Sequence, residues 1–113
     1  MNTTKRIGKI ADIKIGSGGY QDACFGISFT FESKKDCWGC GDFWGVWGPS
    51  ISAKHAEWNN KGRQADLARH FWRLAKLMEE AGVSSADRLV GIPVEVEFDC
   101  GSLKSWRILT EAL

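Results

Sequence analysis

The stretch ACFGISFTFE, residues 23–32, alternates apolar side chains with small or polar ones without a break. This period of two is typical of a β-strand with one buried face. The polar segment SKKD, residues 33–36, follows directly and suits a hairpin connection. The pattern therefore predicts a strand over 23–32 and an antiparallel strand after it.

Two further strands flank this one in the chain. Upstream, RIGKIADIKI (6–15) carries β-branched residues, with Ala11, Ile13 and Ile15 in phase, and ends at a glycine-rich segment. Downstream, CWGCGDFWGVWG (37–48) combines glycine and tryptophan and continues the extended pattern. Residues from about 5 to 48 are thus predicted to form a three-stranded antiparallel meander, with 23–32 as the central strand.

The second half of the chain predicts a loop, a helix and a hairpin. Glycine, proline and asparagine mark residues 49–62 as a loop with a short helical turn at its centre. Helical spacing and a closing Gly82 predict an amphipathic helix over about 63–82, with SSADRLVG (84–91) adding one turn. The residues expected on its apolar side are Leu67, Phe71, Leu74 and Met78, joined by Ala68, Ala75 and Ala81. Two alternating segments then predict a closing hairpin over about 91–111.

The order β-β-β-α-β-β predicts an α+β fold: an antiparallel sheet of about five strands with one main amphipathic helix packed on one face. At 113 residues, the chain is expected to form a single domain over 1–113. Fifteen basic and fourteen acidic residues give a net charge of +1, so no broad field attracts nucleic acid or an anionic membrane. Without an apolar run of membrane-spanning or signal-peptide type, a cytoplasmic location is expected.

The glycines of the third strand suggest a ligand site. In an extended chain, Gly39, Gly41, Phe43, Gly45 and Trp47 share one face. Two interpretations stay open: the glycines make room for the helix or for neighbouring rings, or they form a floor on which a planar ligand stacks. The second interpretation adds the GSGGYQD loop, and its candidate ligand-binding residues are Gly18, Gly19, Tyr20, Gln21, Gly39, Gly41, Asp42, Phe43, Trp44 and Trp47.

A metal site is the weaker interpretation of the same stretch. Cys37 and Cys40 have the spacing of half a tetrahedral zinc site, and Cys24 and Cys100 are the only other thiols. In strand geometry, Cys37 and Cys40 point to opposite faces and cannot share an ion. We therefore expect no metal and no cofactor.

Catalysis is not indicated either. His55 and His70 are the only histidines, and neither belongs to a motif of a nucleophilic or metal-dependent hydrolase. The carboxylates show no partner pattern. The chain is therefore expected not to be an enzyme.

Basic residues on the helix suggest an alternative. Arg69, Arg73 and Lys76 follow one another at i, i+4 and i+7, and Arg63 lies upstream. Such a stripe is either a solvated face or a contact for nucleic-acid phosphates.

Three segments carry a family resemblance: GGYQDACFGISFTF (18–31), CWGCGDFWGVWGP (37–49) and GIPVEVEFDCGSLKSWRILTEAL (91–113). They resemble a family of small uncharacterised proteins from tailed bacteriophages and prophages with GGYQDA, WGxGDFWG and LKSWRIL motifs. The resemblance implies an accessory protein made in the cytoplasm of a bacterial host and assigns no activity. The cysteines are not part of the family pattern.

These observations lead to two hypotheses of function. In the first, the chain is a non-enzymatic phage binding protein, an anti-defence or host-takeover factor that sequesters a nucleotide-like ligand or blocks a host protein. In the alternative, it is a nucleic-acid-associated accessory protein that uses Arg63, Arg69, Arg73, Lys76 and exposed aromatics. Neither involves a membrane, and both are compatible with a homo-oligomer.

Overall fold

The computed structural model describes residues 3–51 and 60–113. It contains five strands and one long helix in the predicted order and confirms the α+β class. The elements are β1 (Thr3–Gly18), β2 (Cys24–Ser33), β3 (Trp38–Trp47), α1 (Asn60–Ala81), β4 (Pro93–Asp99) and β5 (Ser102–Ile108). Short 3-10 turns lie at Tyr20–Asp22, Ala86–Leu89 and Thr110–Ala112. The predicted helical turn within 49–62 and His55 fall outside the described residues.

The strands form one sheet in the order β3-β2-β1-β4-β5, and every neighbouring pair is antiparallel. β1 lies at the centre because it is shared: residues 9–18 pair with β2, and residues 3–9 pair with β4. The meander of β1, β2 and β3 is confirmed. As predicted, β2 is the central strand of this meander, while β1 is the central strand of the complete sheet because β4 pairs along its first half.

An irregularity in β1 changes which of its side chains are buried. The pairing with β2 shifts between Ile10 and Asp12, so that one extra residue is accommodated there. Ile10 is fully buried, whereas Ile15 is 49% exposed. The predicted phase through Ala11, Ile13 and Ile15 therefore misses the most buried residue of the strand, because a bulge moves side chains to the other face.

The core lies between the concave face of the sheet and α1. Rings dominate it: the Trp106 ring of β5 lies 5.1 Å from Phe29 and 4.6 Å from Phe31, centroid to centroid. Since β2 and β5 are separated by two strands, this contact shows that the sheet curls until its two edges approach each other. The buried hydrophobic residues are Ile10, Ile27, Phe29, Phe31, Trp44, Leu74, Leu89, Val94, Val96 and Ile108.

The helix packs mainly against β3, with smaller contacts to β2 and β5. Leu74 is buried and Leu77 packs against the core, whereas Phe71 is 38% exposed. The prediction that Phe71, Ala68 and Ala75 belong to the buried stripe is wrong, because all three are exposed. The helix instead turns the side of Leu74 and Leu77 towards the sheet. Gly82, at φ +73°, follows the last helical residue and suits the left-handed position after a helix end.

Three glycines lie opposite one another across β1, β2 and β3: Gly16 pairs with Gly26, and Gly26 pairs with Gly45. Gly26 is buried, and a Cβ atom placed there would lie 2.1 Å from the carbonyl oxygen of Trp44. A Cβ atom at Gly16 would meet nothing within 4 Å. The close approach of β2 to β3 thus requires glycine at one position of the row and tolerates a side chain at another.

We expect Gly26→Ala to lower the free energy of unfolding by about 3 kcal/mol, because backbone atoms must move to admit the methyl group. Gly16→Ala, in the same row, should leave stability unchanged or raise it by about 0.5 kcal/mol. Urea unfolding followed by tryptophan fluorescence measures both. Equal midpoints for the two variants would contradict the close packing at Gly26.

Candidate functional site

One carboxylate joins the two edge strands of the sheet. Asp42 lies half-buried on the concave side of β3, and its Oδ2 accepts hydrogen bonds from Nε1 of Trp44 at 2.9 Å and of Trp106 at 2.8 Å. Its Oδ1 accepts the backbone N–H of Phe43 at 2.9 Å. Because Trp106 belongs to β5, this carboxylate links β3 to the opposite edge of the sheet. Its oxygens are engaged within the protein.

The two indoles held by Asp42 stack on each other. The Trp44 and Trp106 rings lie 5.8 Å apart and are inclined by only 18°. The guanidinium carbon of Arg73, on α1, lies 4.0 Å from the Trp44 ring centre, a cation–π contact. Trp44 is 7% exposed. Trp44 is therefore a core residue, as the structural interpretation of the third strand predicts for its tryptophans.

A cleft of about 440 Å³ lies between α1 and β5, beside these rings. Trp44 and Trp106 form part of its lining. Its charged lining residues are the cations Arg73, Lys76, Lys104 and Arg107 and the acids Asp42 and Glu80. Two of these cations, Lys104 and Arg107, have carboxylate partners just outside the lining, so the number of lining charges alone does not set the local charge.

The cations differ in how far they are neutralised. Arg107 contacts Glu95 at 3.1 Å and Glu111 at 2.9 Å, and this guanidinium lowers the pKa of the Glu111 carboxyl to about 2. Lys104 lies 3.8 Å from Glu97. Within the described parts of the chain, Arg73 and Lys76 have no carboxylate partner. The helical wall thus carries the unneutralised positive charge of the cleft.

The predicted glycine floor lies on the opposite side of the sheet from α1. Gly39 and Gly41 are exposed there, while the Phe43 ring lies over Gly45 and reaches Gly18. The idea that these glycines make room for the helix is wrong, because side chains of a strand alternate and the helix packs against the face of Trp44. Room for a neighbouring ring is confirmed at Gly45.

The candidate ligand residues consequently form two groups. Gly18 and Gly19 lie beside Phe43, followed by Tyr20, which is 71% exposed, and Gln21, at φ 52°. This group, with half-buried Trp47, belongs to the outer face and its adjoining loop. Asp42 and Trp44 belong to the concave face. The structure does not bring the ten residues into one site.

The basic residues of the helix also separate. Arg63 donates hydrogen bonds to the carbonyl oxygens of Gly48 at 2.8 Å and Ile51 at 3.0 Å, so it ties the start of α1 to the end of the meander. Arg69 is exposed and paired with Asp66. Only two of the four predicted cations, Arg73 and Lys76, line the cleft.

Sequence reasoning missed the β5 side of the cleft, which consists of Lys104, Ser105, Trp106 and Arg107. The segment LKSWRIL is part of the motif resemblance, and its combination of basic residues with a tryptophan is the one signal in the sequence that points to a binding role for this strand. Its alternation predicts a strand. The period of a strand does not reveal that this strand curls back towards β3.

The two cysteines of the CxxC pair occupy different environments. Cys37 is exposed in the turn before β3, at φ 56°, while Cys40 is half-buried within the strand. The prediction that both cysteines lie in one strand and point to its opposite faces is therefore wrong for Cys37, which precedes β3. Burial raises the pKa of the Cys40 thiol, and the nearby Asp42 charge raises it further. Over residues 3–51 and 60–113, no three histidine, cysteine or acidic side chains are grouped so that they could hold a metal ion.

Comparisons with known proteins find no relative: no family model, no curated protein and no solved structure matches the chain.

In the portion of the chain that the structure describes, none of the helices combines the length and apolar character required to cross a bilayer.

His70 faces the sheet next to the cleft. Burial lowers the pKa of its imidazole; Arg73 and Arg69 act in the same direction, and a hydrogen bond with the Gly45 backbone opposes them. Its Nδ1 atom is buried without a hydrogen-bond partner among the described residues. The folded protein therefore favours neutral His70.

We expect Asp42→Ala to lower the free energy of unfolding by about 3 kcal/mol, because two indole N–H groups lose their acceptor. Trp106→Phe removes one of these donors and also part of a ring that packs on Phe29 and Phe31, so it should cost about 1–3 kcal/mol. Asp36→Ala is the matched control: Asp36 is exposed in the turn before β3, and its loss should change stability by less than about 0.5 kcal/mol. Chemical denaturation checks all three, and equal effects of Asp42→Ala and Asp36→Ala would contradict the role of Asp42.

The lowered pKa of His70 predicts a pH-dependent stability. The unfolded chain takes up the imidazole proton near pH 6.5, above the pKa of the folded state. The contribution of neutral His70 is therefore complete above about pH 6.5 and decreases as the pH falls through the folded-state pKa. The Tm of the wild type should decrease more steeply between about pH 7.5 and 5 than that of His70→Gln. Parallel pH profiles would contradict the burial of a neutral imidazole.

Proposed function

We propose that the chain is a non-catalytic binding protein that captures a nucleotide-like anion in the cleft between α1 and β5. One observation carries the proposal: Arg73 and Lys76 are unneutralised and lie in the same cleft as the Trp106 ring. Phosphate groups suit such a wall of cations, and an aromatic ring suits a planar base. The volume of about 440 Å³ falls within the range of small-molecule sites.

The residues of this site have different roles from those in the glycine-floor hypothesis. Asp42 serves as a positioning residue because its oxygens already accept three N–H groups. It holds Trp106 at the cleft, and Arg73 and Lys76 supply the charge that binds the ligand. Lys104 lies on the opposite wall at 3.8 Å from Glu97, a distance that leaves its ammonium able to turn towards an anion.

The motif resemblance supplies the biological context of the proposal. It supports a bacteriophage or prophage accessory protein acting in the host cytoplasm, where capture of a nucleotide-like signal serves as an anti-defence or host-takeover function. Blocking a host protein through the same cleft is the variant of this proposal in which the anion is an acidic side chain of the target.

A nucleic-acid role is the second candidate, and one observation favours it. Trp72, 67% exposed, lies on α1 next to Arg73 and one turn after Arg69. A base stacked on such a ring contributes about 1–3 kcal/mol. The cleft is preferred because Arg69 is already paired with Asp66 and the net charge of the chain is only +1.

A titration with linear and cyclic nucleotides, followed by tryptophan fluorescence at low salt, tests the proposal. The double variant Arg73→Gln/Lys76→Gln should weaken nucleotide binding by at least about tenfold, because each lost charge-assisted contact is worth roughly 1.5–3 kcal/mol. Arg69→Gln removes a charge from the same helix outside the cleft and should leave the Kd unchanged.

The outcomes separate the two candidates. Affinity for single-stranded DNA that falls steeply with salt and is weakened as much by Arg69→Gln as by Arg73→Gln supports the nucleic-acid role and contradicts the cleft. If the wild type binds neither nucleotides nor DNA, nucleotide capture and the nucleic-acid role are both wrong, and only the variant in which the cleft binds an acidic side chain of a host protein is left to test.

A further inference from the structure

The helix carries a second pattern on the side that faces away from the sheet. Six exposed residues follow one another at spacings of four, three, four, three and four positions. We call this set the α1 seam; its members are Lys61, Ala65, Ala68, Trp72, Ala75 and Glu79. Such spacing is the a/d pattern of a helix that packs against another helix. The buried side of α1, with Leu74 and Leu77, is separate from it.

The α1 seam has an apolar centre and charged ends. Trp72 is 67% exposed, and its neighbours in the seam, Ala68 and Ala75, are small and exposed. Lys61 and Glu79 lie at the two ends, about five helical turns apart. A tryptophan surrounded by exposed alanines is typical of a large side chain that fits into a gap on another surface.

We propose that the α1 seam pairs antiparallel with the α1 seam of a second copy of this chain. The seam is complementary to itself when a twofold axis crosses it midway between Ala68 and Trp72, at the height of position 70 along the helix. Each Trp72 then lies opposite Ala68 of the other helix, Ala65 lies opposite Ala75, and Lys61 lies opposite Glu79. Each pair of facing residues thereby combines a large with a small side chain, two small side chains, or a positive with a negative side chain.

The facing residues disfavour a parallel pairing of the two seams. There, Trp72 would face Trp72, Lys61 would face Lys61, and Glu79 would face Glu79, so that two layers repel electrostatically. The charges of the seam also argue against nucleic acid as its occupant. Lys61 and Glu79 cancel, so the seam has no net charge with which to attract a phosphate backbone. This proposal does not rest on the ligand of the cleft.

Charge reversal provides the decisive test, with sedimentation velocity over a broad concentration range as the measurement. The wild type should reach a dimer. Lys61→Glu or Glu79→Lys alone should weaken dimerisation by about tenfold, because symmetry repeats each like-charge contact twice. The double variant Lys61→Glu/Glu79→Lys restores opposite charges and should return the dimer Kd to within about threefold of the wild type.

A second pair of variants tests the centre of the seam. Trp72→Ala should abolish the dimer, while Tyr20→Ala, which removes another exposed aromatic ring outside the helix, should leave it intact. Circular dichroism confirms that each variant is folded. A wild type that stays monomeric at its highest soluble concentration overturns the proposal. So does a double charge variant that fails to recover, or a monomer in which single-stranded DNA quenches Trp72.

Discussion

The arrangement of this protein depends on the carboxylate of Asp42. A half-buried carboxylate is costly unless donors satisfy it, and here two indoles and one backbone N–H do so. These bonds bring β5 against β3, place Trp106 over the phenylalanines of β2 and stack it on Trp44. Arg73 then rests on Trp44, which fixes the side of α1 that lines the cleft. The hydrogen bonds of Asp42 thus connect the cleft, the aromatic core and the helix.

Local periodicity predicted the elements of the fold correctly. Alternation over 23–32 and helical spacing ending at Gly82 correspond to β2 and α1, and the closing hairpin is present as expected. Local periodicity does not show which strands pair when they are far apart in the chain. That β1 lies at the centre depends on its pairing with β4, some ninety residues further along the chain. Phe71 was misplaced because apolar spacing identifies a helix without showing which of two apolar sides meets the sheet.

The candidate site was predicted in separate pieces. The glycine-rich strand predicted Asp42 and Trp44 as ligand-binding residues, and the basic stripe of the helix predicted Arg73 and Lys76 as nucleic-acid contacts. The structure places all four side chains around one cleft. The wall formed by β5 was missed because its contribution depends on the curl of the sheet. For the CxxC motif, the argument from strand geometry assumed that both cysteines lie in the strand, whereas the structure puts Cys37 in the preceding turn and only Cys40 in β3.

The divided pairing of β1 also has a consequence for how the chain folds. Residues 9–18 of β1 pair with β2, the next strand in the chain. Residues 3–9 pair with β4, which is the fourth of the five strands to be synthesised. Contacts between such distant segments slow folding and leave strand edges unpaired in the meantime. During synthesis, the first half of β1 therefore exposes unpaired backbone N–H and C=O groups that are open to pairing with another chain. Its charged side chains Lys5, Arg6 and Lys9 are of the kind that protects edge strands from such pairing.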